Sequence, residues 1–272
     1  MLRRNFIQAA VATASLPFAS LQAAASATPQ GFDIVRAHDR GLADHGWLLS
    51  RHTFSFADYY NPAQMGFSDL LVINEDKVAP GRGFGMHPHR DMEIFSYVLS
   101  GELEHRDSMR NGEVIRPGDV QLMSAGVGVR HSEFNPQASE GVHFLQIWLL
   151  PSTPGGAPTY QQRTFTEAEK RGKLALIISG ADTADGRALS IKQDARVYAG
   201  LFDGKERASL TLGADRHAYV HVARGTITLN GLELQAGDGV KVRAPGQKLT
   251  LSHGKGAEVL LFDLRQNGAT GA

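Results

Sequence analysis

The 272-residue chain contains no cysteine. That absence excludes disulfides, thiolate metal sites, iron–sulfur clusters and cysteine nucleophiles. There is no excess charge of either sign, since 28 basic side chains balance 28 acidic ones. A neutral chain has no electrostatic footprint for nucleic acid or an anionic membrane surface. Only 21% of residues are charged while 42% are hydrophobic, which excludes a disordered chain. Residues 30–150 also lack an amphipathic helical pattern of useful length. Glycine, by contrast, is abundant at 30 residues. The length suits one large domain or two medium ones, with enough material to bury a core.

Residues 1–27 read as an address rather than as fold. Arg3 and Arg4 form a twin-arginine pair, a weakly apolar alanine-rich run succeeds them, and Ala25-Ser26-Ala27 suits cleavage after Ala27. This predicts a periplasmic protein exported by the twin-arginine route. Pro17, Gln22 and several serines make the segment a poor spanning helix, so no stable membrane association is expected after cleavage. Removal of the segment takes away two arginines and no acid, leaving a net charge of −2.

The chain beyond Ala27 is punctuated like β structure. Short apolar runs at Leu70–Asn74, Glu93–Leu99, Val120–Met123 and Val142–Leu150 are separated by glycine, proline, asparagine and aspartate. Asn111-Gly112 predicts a tight hairpin turn with both residues at positive φ, and Pro117-Gly118-Asp119 a second turn. Closely spaced strands of this kind imply a sandwich or barrel. Residues 151–160, rich in proline and glycine, predict a linker or crossover. Thr166, with Glu169 three residues on, predicts the cap of a short helical turn. A second β pattern runs from about Leu174 to Leu264. Its His217–Asp238 stretch parallels Arg90–Asp119: each is a strand turning at glycine, and each closes on Gly-Asp, at Gly118-Asp119 and Gly237-Asp238. The two halves read as an internal duplication.

The chemistry concentrates in two short pairs. His87 and His89 lie two apart, and on a strand residues i and i+2 share a face, so both imidazoles project into one space. His131 and Glu133 repeat that spacing. Facing strands of a small barrel would bring the four groups together, and three nitrogens with one oxygen suit iron, nickel, copper, manganese or zinc. Other histidines carry less. His105 and His143 read first as satisfied polar residues of a sheet and second as hydrogen-bond supports of the site. His38 and His45 lie early in the mature chain, and His52, with Phe54 and Phe56, is a candidate border of a pocket. Gly81, Gly83 and Gly85 lack a phosphate-binding context and predict a β-bulge or a close backbone approach beside the metal strand.

These residues resemble the two cupin motifs. Gly81, His87-x-His89, Glu93 and Gly101 match the first, and Gly128, His131 and Asn135 the later half of the second, with Gly126 where many cupins have proline. More narrowly, Phe54–Tyr60, His87–Glu93, Gly118–Gly126 and His131–Asn135 are similar to the pirin family of bicupins, a resemblance covering about residues 31–265. It implies an all-β chain with two cupin (jelly-roll-like) barrels: an export signal at 1–27, an N-terminal metal-bearing cupin at 28–150, a crossover at 151–165 and a degenerate C-terminal cupin at 166–272. It implies one divalent transition metal held by His87, His89, His131 and Glu133. Iron(II) comes first, with manganese, nickel, cobalt, copper or zinc as alternatives. Glu93 is then a residue behind the ligands, or a structural acid paired with Arg90. His217 and His221, four apart, read as packing or surface residues of a metal-free barrel.

The resemblance further implies a quercetin 2,3-dioxygenase-type enzyme that cleaves the ring of a flavonol with O2. Glu133 would be the catalytic base for the 3-hydroxyl, and the metal would supply Lewis acidity. The alternatives are a non-enzymatic, redox-responsive binding or regulatory protein, and a cupin enzyme for another small aromatic or enol. Since one barrel packs against its own sequel, a monomer is expected.

Overall fold

A computed structural model describes residues 28–180 and 186–269. The export signal read in residues 1–27 lies outside them. The described chain is almost entirely β, arranged as two barrels packed together.

The first barrel is built from two sheets. The larger runs, in spatial order, Thr159–Thr164, Asp119–Ser124, Glu93–Ser100, Val142–Leu149, Leu70–Val78, Leu48–His52 and Gly41–Asp44. The smaller runs Gly83–His89, Val129–Phe134, Leu103–Asp107 and Gly112–Ile115. Alternation along each strand divides its side chains between two destinations. On Glu93–Ser100, Phe95 and Tyr97 turn outward into the core shared with the second barrel, while Ser96 turns inward toward Glu133.

The second barrel is one nine-stranded sheet with the long strands Arg216–Leu229 and Lys248–Arg265 at its centre. The barrels bury a common apolar seam. Phe54 and Phe67 pack on Tyr219, and Phe95 packs on Phe262. All five rings are fully buried, and each such side chain contributes about 1.5–3 kcal/mol. Polar contacts pin the register of the seam: Tyr97 donates to Glu258 at 2.6 Å, and Arg265 makes a two-pronged pair with Asp69.

Two segments cross the expected boundaries. Phe32–Val35 joins the second barrel, pairing antiparallel with Gly239–Val242, because Phe32 finds its apolar partners Val240 and Val242 there. Within the segment expected to be a crossover, Thr159–Thr164 forms an edge strand on Asp119–Ser124. The Thr166 cap forms as expected: its hydroxyl accepts from the Glu169 amide, and Glu169 accepts from the Thr166 amide in return. The hairpin at Asn111-Gly112 differs from expectation. The left-handed residue is Arg110, at φ 73°. Asp107 reshapes the turn by accepting hydrogen bonds from the amides of Met109 and Asn111 and from the Asn111 side chain.

Candidate metal centre

Three histidines converge inside the first barrel. His87 and His89 come from Gly83–His89, and His131 comes from the neighbouring Val129–Phe134. The antiparallel register sets His131 directly opposite His87. Ring centroids are 4.5 Å apart for His87 and His131, and 4.8 Å for each other pair. One ring nitrogen from each lies within 4.8 Å of the others.

A bulge aims them. Between the His131–His87 and Glu133–Phe84 pairings the register shifts, so Gly85 and Met86 together face Ser132. Such an insertion turns the strand locally. Gly83 lies one pairing beyond the bulge, opposite Phe134, where a Cβ would collide with the Glu133 carbonyl oxygen. Only glycine permits that approach, in keeping with the glycine spacing of the sequence.

The nitrogens are prepared for a cation. The Nε2 atoms of His89 and His131 are buried and have no hydrogen-bond partner among the described residues. His87 donates through Nδ1 to the Gly85 carbonyl at 2.8 Å, which leaves its Nε2 as a lone pair. Burial, with the neighbouring histidines, pushes His89 down to about 4 and His131 down to about 3. Neutral imidazoles with unpaired, converging nitrogens are the form that binds a transition metal.

Glu133 stands beside this group rather than inside it. It is buried; Oε1 accepts from Ser96 at 2.9 Å and Oε2 from Gln146 at 2.6 Å. Its carboxylate lies within 4.8 Å of ring nitrogens of His131 and His105, forming a second group that shares His131 with the first.

His105 is not the ordinary sheet residue that its sequence context suggests first; the fold places it behind the converging histidines, against His131. His131 Nδ1 lies 3.4 Å from His105 Nδ1, and His105 Nε2 lies 3.2 Å from Asp107 Oδ2. The direction of this chain is set by its end. A carboxylate only accepts, so His105 Nε2 carries the proton and His105 Nδ1 accepts. His131 Nδ1 then donates, and its lone pair sits on Nε2, the atom that faces the ligand space. Asp107 is held below the usual carboxylate range: burial opposes this, but hydrogen bonds from Asn111 and His105 prevail. Tyr160 stacks on the His105 ring at 4.9 Å. The available sequence signal is His105-x-Asp107, which repeats the histidine–acid spacing of His131-x-Glu133.

The remaining candidates fall elsewhere. Glu93 points to the face opposite Ser96, where Ser124 donates to it at 2.6 Å, and Arg90 lies against Asp91 instead. Neither expected role for Glu93 therefore holds, because it lies three positions, an odd number, from the inward-facing Ser96 on the same strand and so faces the other way. His143 binds Glu75 at 2.9 Å. His217 stacks on Phe67, and His221 is fully buried. His52 and Phe56 do line a cavity, whereas Phe54 packs in the seam between barrels.

Comparison with known proteins agrees with this arrangement. Residues 35–149 match the family model described as Pirin, and residues 176–264 match the Quercetinase C-terminal cupin domain. A protein named quercetin 2,3-dioxygenase from Escherichia coli K12 is 45% identical over 84% of this chain and 96% of its own length. The chain belongs to the pirin family. A pirin-like protein from Caulobacter vibrioides is 42% identical over 82% of the chain and 95% of its own length. The crystal structure of the E. coli pirin YhhW superposes with a TM-score of 0.80 at 43% identity, covering 86% of this chain and 97% of that one. YhhW has also been solved in complex with nickel(II), with the same TM-score and identity and 99% of that chain covered. In this pirin the two-barrel, all-β architecture and the histidine cluster thus occur together.

Proposed function

We propose that this pirin is a metal-dependent dioxygenase that opens the heterocyclic ring of a flavonol with O2, releasing carbon monoxide. The observation that carries the reading is the pair of orphaned, buried Nε2 atoms on His89 and His131, set beside a carboxylate that is held but still able to accept. Similarity to relatives named quercetin 2,3-dioxygenase supports the choice of reaction class.

His87, His89 and His131 would hold the ion, and Glu133, whose carboxylate stands beside His131, would be the fourth group of the set. Iron(II) is the ion we assign first, and nickel(II), seen with YhhW, is the first alternative. When bound, the metal supplies Lewis acidity to the adjacent 3-hydroxyl and 4-carbonyl oxygens of the flavonol. The protein's own groups do the rest. Glu133 takes the 3-hydroxyl proton on a carboxylate oxygen, as a general base must, within hydrogen-bond reach of it. Ser96 and Gln146 fix that carboxylate, so it spends no reorganisation at the moment of transfer. Trp148 packs edge-on against His89 at 4.9 Å and gives the site one apolar side. Twin-arginine export and a monomeric state complete the reading; cell fractionation, N-terminal sequencing and sedimentation mass test them.

The deciding experiment is oxygen uptake with quercetin, after separate reconstitution with iron, manganese, nickel, cobalt and copper. Uptake that depends on metal and disappears in His131→Ala establishes the oxygenase and its productive ion. Glu133→Gln should keep much of the metal and lose most turnover; retained turnover removes the base role. Metal-loaded protein that consumes no oxygen would transfer the assignment to a binding or regulatory role.

A further inference from the structure

The metal centre occupies one wall of the first barrel. The same barrel has a cavity of about 520 Å³, within the ~300–1,000 Å³ range of small-molecule sites, lined mostly by Leu42–Tyr59 and by Asn74 and Asp76, with Phe84 from the strand of His87 and His89. Its polar floor is formed by His52, Asn74 and Asp76, which come from adjacent strands, with His52 in register opposite Asn74. Its rim is aromatic: Phe56, Tyr59 and Phe84.

Two contacts connect this cavity with the metal centre. Phe84 pairs in register with Glu133. Phe56 packs edge-on against Trp148 at 5.4 Å, and Trp148 packs against His89.

Each of the three floor residues carries one polar atom without a partner, although Asp76 also takes a hydrogen bond from Ser50. His52 Nδ1, Asn74 Oδ1 and Asp76 Oδ1 are all buried with no hydrogen-bond partner among the described residues. Their residues are 4%, 3% and 4% exposed. Unsatisfied buried polar atoms carry a desolvation penalty, and native structures keep few of them. Three on the floor of one aromatic-rimmed cavity indicate an occupant that is flat, apolar in its body and hydroxylated at its edge.

We propose that this cavity receives a hydroxylated ring of the substrate, a planar polyphenol, with Asn74 and Asp76 accepting from its phenolic hydroxyls and His52 beside them. The aromatic rim flanks the ring's faces. This deepens the dioxygenase reading and rests on it for the reacting end. The 3-hydroxyl and 4-carbonyl lie at the histidine cluster, and a remote ring occupies the cavity. The floor then sets which flavonols are preferred.

The test compares quercetin with 3-hydroxyflavone, which keeps the reacting oxygens and lacks the other hydroxyls. Binding to metal-loaded protein is measured anaerobically by calorimetry, and oxygen uptake separately. Wild-type protein should bind quercetin about tenfold more tightly than 3-hydroxyflavone, the effect of a hydrogen bond or two. In Asn74→Leu and Asp76→Leu that preference should shrink to about threefold or less. Both are near-isosteric, and unchanged metal content reports that each has folded. Ala43→Phe, which fills the cavity from its lining, should weaken binding of both ligands. A tenfold preference that survives both leucine variants, or a wild type without preference, overturns the proposal and identifies a cavity that holds only water. Preference in binding without oxygen uptake leaves the cavity assignment standing and removes the oxygenase reading. Uptake of both flavonols with equal KM does the reverse, and failure to bind either removes both.

Discussion

Replacing Asp107 by asparagine should invert the tautomer of a residue two hydrogen bonds away. In the native structure Asp107 Oδ1 accepts from the amides of Met109 and Asn111, while Oδ2 accepts from Asn111 Nδ2 and His105 Nε2. Asparagine offers one oxygen. Two backbone donors claim it, because they cannot move without unfolding the turn. The amide NH2 must then face His105, whose Nε2 becomes the acceptor and whose Nδ1 gains the proton. That proton meets His131 Nδ1 across 3.4 Å, so His131 must carry its own proton on Nε2 and point it into the ligand space. Disturbing the partner behind a metal-bound histidine costs about 10–100-fold in affinity, or about 1.4–2.8 kcal/mol. Asp107→Asn should reach the upper part of that range. His105→Phe removes the relay without imposing the wrong tautomer and keeps the stack on Tyr160, so it should lose less. Competition against a chromophoric chelator measures both, with thermal midpoints as the control for folding. The tautomer argument fails if Asp107→Asn binds metal within twofold of wild type, or if His105→Phe is the worse of the two.

Single contacts set the other expected outcomes. Ser96→Ala removes a buried hydrogen bond to the Glu133 carboxylate, worth about 1.5–3 kcal/mol, and should lower kcat with little change in KM; a rise in KM alone would contradict it. Gly83→Ala drives a Cβ into the Glu133 backbone and should cost about 1–3 kcal/mol, seen as a lower melting temperature and weaker metal retention. His221 is held down to about 3 by burial and then by Arg40, against an ordinary value near 6.5. The unfolded chain therefore binds a proton that the folded one refuses, so stability falls as pH drops below 6.5, by about 2 kcal/mol at pH 5 from this residue alone. Urea unfolding at pH 7 and pH 5 should show that share of the loss missing in His221→Leu.

Strand existence is legible in the sequence because it is local. The Glu93–Leu99 and Val142–Leu150 runs are apolar stretches between turn signals, and the structure matches them to within a residue. Strand partnership is a different kind of information. Nothing in Phe32–Val35 states that it will pair with Gly239–Val242, some two hundred residues on, because period-2 alternation marks a buried face without naming the neighbour. Thr159–Thr164 is hidden for another reason: TYQQRT is polar throughout, as an edge strand can be, and so carries no alternation to detect. At the Arg110 turn the side chain of Asp107 decides the conformation, which the Asn-Gly dipeptide alone cannot announce.

The metal centre shows the same division. His87 and His89 are visible because both lie on one strand, and two-residue spacing suffices to put them on one face. The relay requires register. Val129–Phe134 pairs antiparallel with Leu103–Asp107 so that His131 faces Asp107 while Glu133 faces His105. Two histidine-x-acid pairs thus cross, each histidine set against the other strand's acid. That crossing does two jobs at once: it brings the Glu133 carboxylate beside the candidate ligand His131, and it lets Asp107 orient His131 through His105. A slip of one residue on either strand would turn that strand's pair to the other face of the sheet and abolish both. The two spacings in the sequence are therefore halves of one device, and it is the pairing between strands that joins them.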